Sequence, residues 1–158
     1  MDKAALLQAI IDQLQRDLTT QTQAALTSRE EATHEESKPE NKYDMHAQEA
    51  AYLAEGQARL AAELTEALNL FHGISTAVWP SGKPAGLGAV VTVESKGKPL
   101  YYLLGPRNGG LEVAVGNDTV TVITPSSPLG RQLLGATVGQ IIPMPGRTAA
   151  PHHITAIA

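Results

Sequence analysis

The sequence predicts an α+β protein: an N-terminal antiparallel α-helical coiled-coil hairpin, then a small antiparallel β domain with one short helix. Two observations carry this prediction. Apolar residues recur at alternating steps of four and three on two N-terminal ladders, so each ladder occupies one helical face. The composition then switches at His72-Gly73: 13 of the 14 glycines and nine of the ten prolines lie beyond Phe71. Breakers at that density separate short β-rich runs. The expected domains are therefore residues 1–72 and 73–158.

The first ladder is Leu7, Ile11, Leu14, Leu18, Gln21 and Ala25; the second is Leu53, Gln57, Leu60, Leu64, Ala67 and Phe71. Folding back near Pro39 sets Leu7 against Phe71, Leu14 against Leu64 and Gln21 against Gln57. Ala, Leu, Gln and Glu dominate both segments and are good helix formers. Helices of about 30 residues would make a rod of roughly 45 Å. Its packing energy should concentrate at the base, because Gln21, Ala25, Ser28 and Ala50 near the tip are polar or small. The turn at 34–41 is acidic, and Ser37-Lys38-Pro39-Glu40 fits a capping box with proline in the first helical turn.

In the second half the strand candidates are Ile74–Trp79, Ala89–Glu94, Leu100–Leu104, Leu111–Val115 and Val120–Thr124. Ser127–Leu134 reads as a short helix: serine is placed to cap, Pro128 opens the first turn and Gly135 closes it. Val138–Ile142 and His153–Ile157 are the last strand candidates.

Charge and composition exclude several functions. Residues 1–75 hold six Lys/Arg against thirteen Asp/Glu, and residues 76–158 hold six against three. An acidic first half repels phosphates, so direct DNA binding is not expected. Aromatics make up 4% of the chain, too few for a platform that stacks single-stranded bases. Without cysteine there is no thiolate metal site and no disulfide framework. With no membrane-length apolar run and no signal peptide, the expectation is a soluble cytoplasmic protein. His152 and His153 are adjacent and the other three histidines scattered, which makes no metal pattern and reads as surface placement. Gly105-Pro106-Arg107-Asn108-Gly109-Gly110 lacks the lysine and helix start of a phosphate loop and reads as a turn.

The segment Ser127-Pro128-Leu129-Gly130-Arg131-Gln132-Leu133-Leu134-Gly135 is similar to a Ser-Pro-Leu-Gly-Arg-x-Leu-Leu-Gly segment of the Gre family of bacterial transcription elongation and transcript-cleavage factors. Val138-Gly139-Gln140 resembles that family's Val-Gly-Asp, and His153–Ile157 resembles its closing strand. Glu40-Asn41 followed by Tyr43 is similar to its acidic tip. The resemblance spans nearly the whole chain and implies a coiled-coil finger joined to an FKBP-like domain.

By this resemblance the C-terminal domain docks on RNA polymerase through Ser127, Pro128 and Arg131, and the finger enters the secondary channel. Carboxylates of Glu36, Glu40 and Glu35 would then be the catalytic residues that stimulate cleavage of backtracked RNA. Glu36 and Glu40 would assist a Mg²⁺ shared with the polymerase and bound only within that complex, where alone the nascent RNA 3′ end is met. Mg²⁺ takes hard oxygen ligands, usually one or two carboxylates, and two-metal cleavage needs both ions a few Å apart. The chain would be an accessory factor and not itself an enzyme. Ser37 stands where the family has its first tip acid, an aspartate; Glu35 and Glu36 precede it. The alternative reading is therefore a secondary-channel binder that modulates or inhibits the polymerase without stimulating cleavage. Helix capping accounts equally for Glu40, and solvated charge near a helix end is the favoured plain reading of Glu35 and Glu36. A prolyl isomerase would need an aromatic-lined pocket, and the C-terminal half offers only Trp79, Tyr101 and Tyr102. A coiled-coil adaptor remains a third class.

Overall fold

The computed structural model describes residues 1–33, 46–95, 97–143 and 152–158. Two long helices, α1 (Lys3–Thr33) and α2 (His46–His72), precede strands β1 (Val90–Ser95), β2 (Lys98–Leu104), β3 (Glu112–Val115) and β4 (Asp118–Ile123). The short helix α3 (Pro128–Leu133) and strands β5 (Ile141–Ile142) and β6 (His152–Ile157) complete the chain. The chain forms two compact units, one of Met1–Ile11 with Leu70–Ala158 and one of Asp12–Asn69.

The helical unit holds most of α1 and α2. Asp2 starts α1 by accepting from the amides of Ala4 and Ala5 at 2.9 and 3.2 Å, which satisfies two of its open donors. The ladder expected on α1 is turned inward: Leu14 and Ser28 are buried, and Leu18, Gln21 and Ala25 are half-buried. On α2 the inward row differs from the expected one. It runs Ala50, Ala54, Gln57, Ala61, Leu64 and Leu68, while Leu53 and Leu60 are 52% and 43% exposed. The two rows share Gln57 and Leu64; of the other expected members Ala67 and Phe71 are buried as predicted, each 1% exposed, and only Leu53 and Leu60 are turned out. Leu68 and Ala67 are both buried at the base, and one and two heptads before Leu68 on the same face come Ala61 and Ala54. Small side chains occupy that row, and Leu53 and Leu60 turn outward.

Gln21 and Gln57 each bury a side-chain carbonyl oxygen that has no hydrogen-bond partner among the described residues. An orphaned buried acceptor costs about 1–3 kcal/mol. Changing both glutamines to leucine should therefore raise the thermal midpoint, with the gain read from the helical circular-dichroism signal. A lowered midpoint would show that the amides are satisfied in solution.

In the β unit the six strands are ordered β3-β4-β2-β1-β6-β5. All neighbours are antiparallel except β2 and β4, which run parallel from Tyr101↔Val120 to Leu104↔Ile123. The sheet is covered on both faces. Val91, Val93, Tyr102, Leu104 and Ile154 pack with Leu129 and Leu133 of α3. The register row Val90–Leu103–Val122 lies on the opposite face and is buried too. Phe71 reaches this side: a Cβ placed on Gly105 would lie 2.6 Å from Val122 Cγ1 and 3.2 Å from Phe71 Cζ. Leu6, Leu7 and Ile10, in the same unit, are also buried.

Two expected strands change. Ile74–Trp79 is not a strand. Gly73 and Ile74 donate back to Leu70 and Phe71 at 3.2 and 3.1 Å, closing the helix end, and Val78 is 92% exposed. Trp79 turns in to pack against the core on the α3 side of the sheet. Its indole N–H donates to the Lys83 carbonyl at 3.3 Å, and the Lys83 and Lys3 ammonium groups sit 4.6 and 5.3 Å from the ring centroid. Burial there pushes the Lys3 ammonium below its ordinary pKa. Val138–Ile142 contributes only Ile141–Ile142 to the sheet. Gly139, at φ +89°, bends the chain before it, and its amide donates to Ile154 at 2.7 Å.

Candidate docking site around the short helix

Ser127, Pro128 and Arg131, expected from sequence to bind a partner, sit together on α3. Ser127 is its N-cap: the hydroxyl accepts from the Gly130 amide at 3.0 Å and donates to the Thr124 carbonyl at 2.8 Å. The Ser127 amide also donates to Thr124, at 3.0 Å. Pro128 occupies the first turn, where its missing amide hydrogen is not needed. Gly130 lies under this knot. A Cβ there would overlap the Thr124 carbonyl oxygen and lie 2.9 Å from Ser127 Oγ. The glycine and the serine thus have structural reasons.

Pro128 and Arg131 do not share those reasons, since both are exposed. The Arg131 guanidinium donates to the Ser126 carbonyl, which holds its stem along the turn. Beyond it opens a groove of about 380 Å³ lined by Arg131, Gln132, Leu134, Gly135, Ala136, Gln140, Ile141, Ile142 and Pro143. Its floor is pinned: Gly135 donates to Ala85, and Ala85 donates to Ala136, both at 2.8 Å. Leu134, Val138 and Ile141 remain 48%, 59% and 58% exposed. Leu134 and Ile141, exposed on the lining of this groove beside Arg131, form a surface suited to a protein partner.

Sequence reasoning missed Leu134, Val138 and Ile141, which it assigned to a helix face and a strand. Gly139 between Val138 and Ile141 was the available signal, because glycine inside a strand pattern marks a break. Gln132 buries a side-chain carbonyl oxygen with no partner among the described residues. His152, expected at the surface, is 3% exposed, and its Nδ1 has no partner among the described residues. The alternation along β6 explains the burial, since His152 faces inward with Ile154.

Glu35, Glu36, Ser37 and Glu40, the expected tip, lie outside the described residues, as does the capping box. Among the described residues no group of three His, Asp or Glu side chains is placed to hold a metal ion. No described helix is long and apolar enough to cross a membrane.

No family model and no curated protein matches the chain. Solved structures do. The crystal structure of GreA factor homolog 1 (Gfh1) of Thermus thermophilus is 18% identical over 94% of each chain, with a TM-score of 0.36. Thermus aquaticus Gfh1 is 19% identical over 92% of each chain, with a TM-score of 0.38. A further structure of the transcription factor Gfh1 is 22% identical, covering 94% of this chain and 93% of that one, with a TM-score of 0.37.

Proposed function

We propose that this chain is a Gre-like accessory factor that binds RNA polymerase through the α3 groove and inserts its helical hairpin into the secondary channel. The carrying observation is the division of labour in the Ser127–Gly135 motif. Ser127 and Gly130 build the turn, whereas Pro128 and Arg131 are exposed, and Arg131 lies on the rim of a groove of mixed polar and apolar lining. The surface residues of a motif that is similar to a docking segment are thus left for a partner.

In this reading Glu36 and Glu40, with Glu35, assist a Mg²⁺ held jointly with the polymerase, and backtracked RNA is cleaved in the polymerase's own site. The ion would supply charge neutralisation and a positioned water. The second reading is a channel binder that modulates or inhibits without cleavage. It is favoured by Ser37, a poor Mg²⁺ ligand beside a carboxylate, at the place of the expected tip aspartate.

Core polymerase pull-down and a stalled, backtracked elongation complex test both. The chain should co-purify with core enzyme, and Arg131→Glu should weaken that capture on the order of tenfold or more. With Mg²⁺ present, short 3′ RNA fragments should appear. They should diminish for Glu40→Ala and for the double change of Glu35 and Glu36 to alanine. Capture without fragments gives the modulator reading; absence of capture overturns the polymerase reading altogether.

A further inference from the structure

The outward turn of Leu53 and Leu60 creates a second heptad row on α2. Glu49, Leu53, Gly56, Leu60 and Glu63 fall at steps of four, three, four and three, so they share one helical stripe beside the inward row. Both leucines and both glutamates are exposed. Gly56 leaves a gap between the leucines, since a Cβ there would meet nothing within 4 Å. Tyr52, at 74% exposure, adds apolar surface alongside. The row is a hole flanked by two knobs and closed at each end by a carboxylate, about 21 Å from end to end.

We propose that this row docks an amphipathic basic α-helix, with a bulky apolar side chain at its centre and Lys or Arg about one heptad to either side. The apolar side chain enters above Gly56 between Leu53 and Leu60, as a knob enters a hole. The flanking cations meet Glu49 and Glu63. Charge selects this occupant. α2 carries Glu49, Glu55, Glu63 and Glu66 against one cationic residue, Arg59. A second copy paired through the same row would set Glu49 against Glu63 when antiparallel, or against Glu49 when parallel. Either arrangement brings like charges together. The proposal does not depend on the polymerase reading.

Two labelled 21-residue helix-forming peptides test it by fluorescence anisotropy with the full chain. One has a central leucine with lysine seven residues to each side; the other has glutamate in place of the lysines. The lysine peptide should bind saturably and on the order of tenfold more tightly than the glutamate peptide, and more weakly at raised salt. Glu49→Lys with Glu63→Lys should reverse the ranking. Gly56→Leu should fill the hole and abolish binding while circular dichroism shows the helices intact. Equal binding of the two peptides, no binding, or a ranking unmoved by the charge reversal would overturn the proposal. So would concentration-dependent dimerisation in sedimentation that Leu60→Ser removes, because a second copy would then be the occupant.

Discussion

Replacing Phe71 by alanine is expected to lower the stability of the β unit by about 3–5 kcal/mol, the range for emptying a fully buried aromatic site. Phe71 is 1% exposed and is the chain's only phenylalanine. It fills a slot that Gly105 leaves open, with Val122 forming another wall. The surrounding strands cannot collapse into the space, because Leu103, Val120 and Val122 are held in register by ladder bonds on both sides. The measurement is a urea midpoint at unchanged denaturant slope, with Leu70→Ala, at a 41% exposed neighbour, as the comparison. If the two variants lose equal stability, Phe71 is not the anchor of this face.

The second large effect is Gly130→Ala, and here the sign is the test. Helix propensity alone favours alanine over glycine by about 1 kcal/mol. At Gly130 the added methyl meets the Thr124 carbonyl, whose carbon would be 2.7 Å away, and crowds Ser127 Oγ. Neither can yield freely. The Thr124 oxygen accepts from both the amide and the hydroxyl of Ser127, and that hydroxyl also caps α3. Overpacking together with loss of the cap should cost about 2–4 kcal/mol. The same substitution at Gly56, where space is open, should stabilise by about 0.5–1 kcal/mol. Opposite shifts of the thermal midpoint are expected from two Gly→Ala changes in helices of one chain. Stabilisation by both would show that the α3 turn is looser than its hydrogen bonds imply.

The parts of the fold legible in the sequence are those set by local rules. Periodicity placed the helices, and the Ser127-Pro128 cap with Gly135 placed α3. Short β-rich runs between glycines and prolines placed β1 through β4 within two residues at each end. The misassignments arose where two patterns compete locally. Leu53–Leu60 and Ala54–Ala61 make heptad rows of equal regularity, and bulk alone favours the leucines. Ile74–Trp79 has strand-like residues, but Trp79 finds Gly86 and two lysines close by in the β unit instead of a partner strand. The docking residues divided in the same way. Ser127, Pro128 and Arg131 stood in a recognisable motif, whereas Val138 was read as part of a strand that the Gly139 bend confines to Ile141–Ile142.

The amino-acid sequence by itself therefore determined which segments are helix and strand, where the chain changes character, and which motif builds the α3 turn. These follow from backbone preferences and hydrogen bonds spanning a few residues. Only the tertiary structure decided which face of α2 is turned inward and which apolar residues stay at the surface. Leu53 and Leu60 share their ladder with Ala67 and Phe71, yet only the latter two are buried, because burial depends on what each stretch of the helix packs against and not on its period.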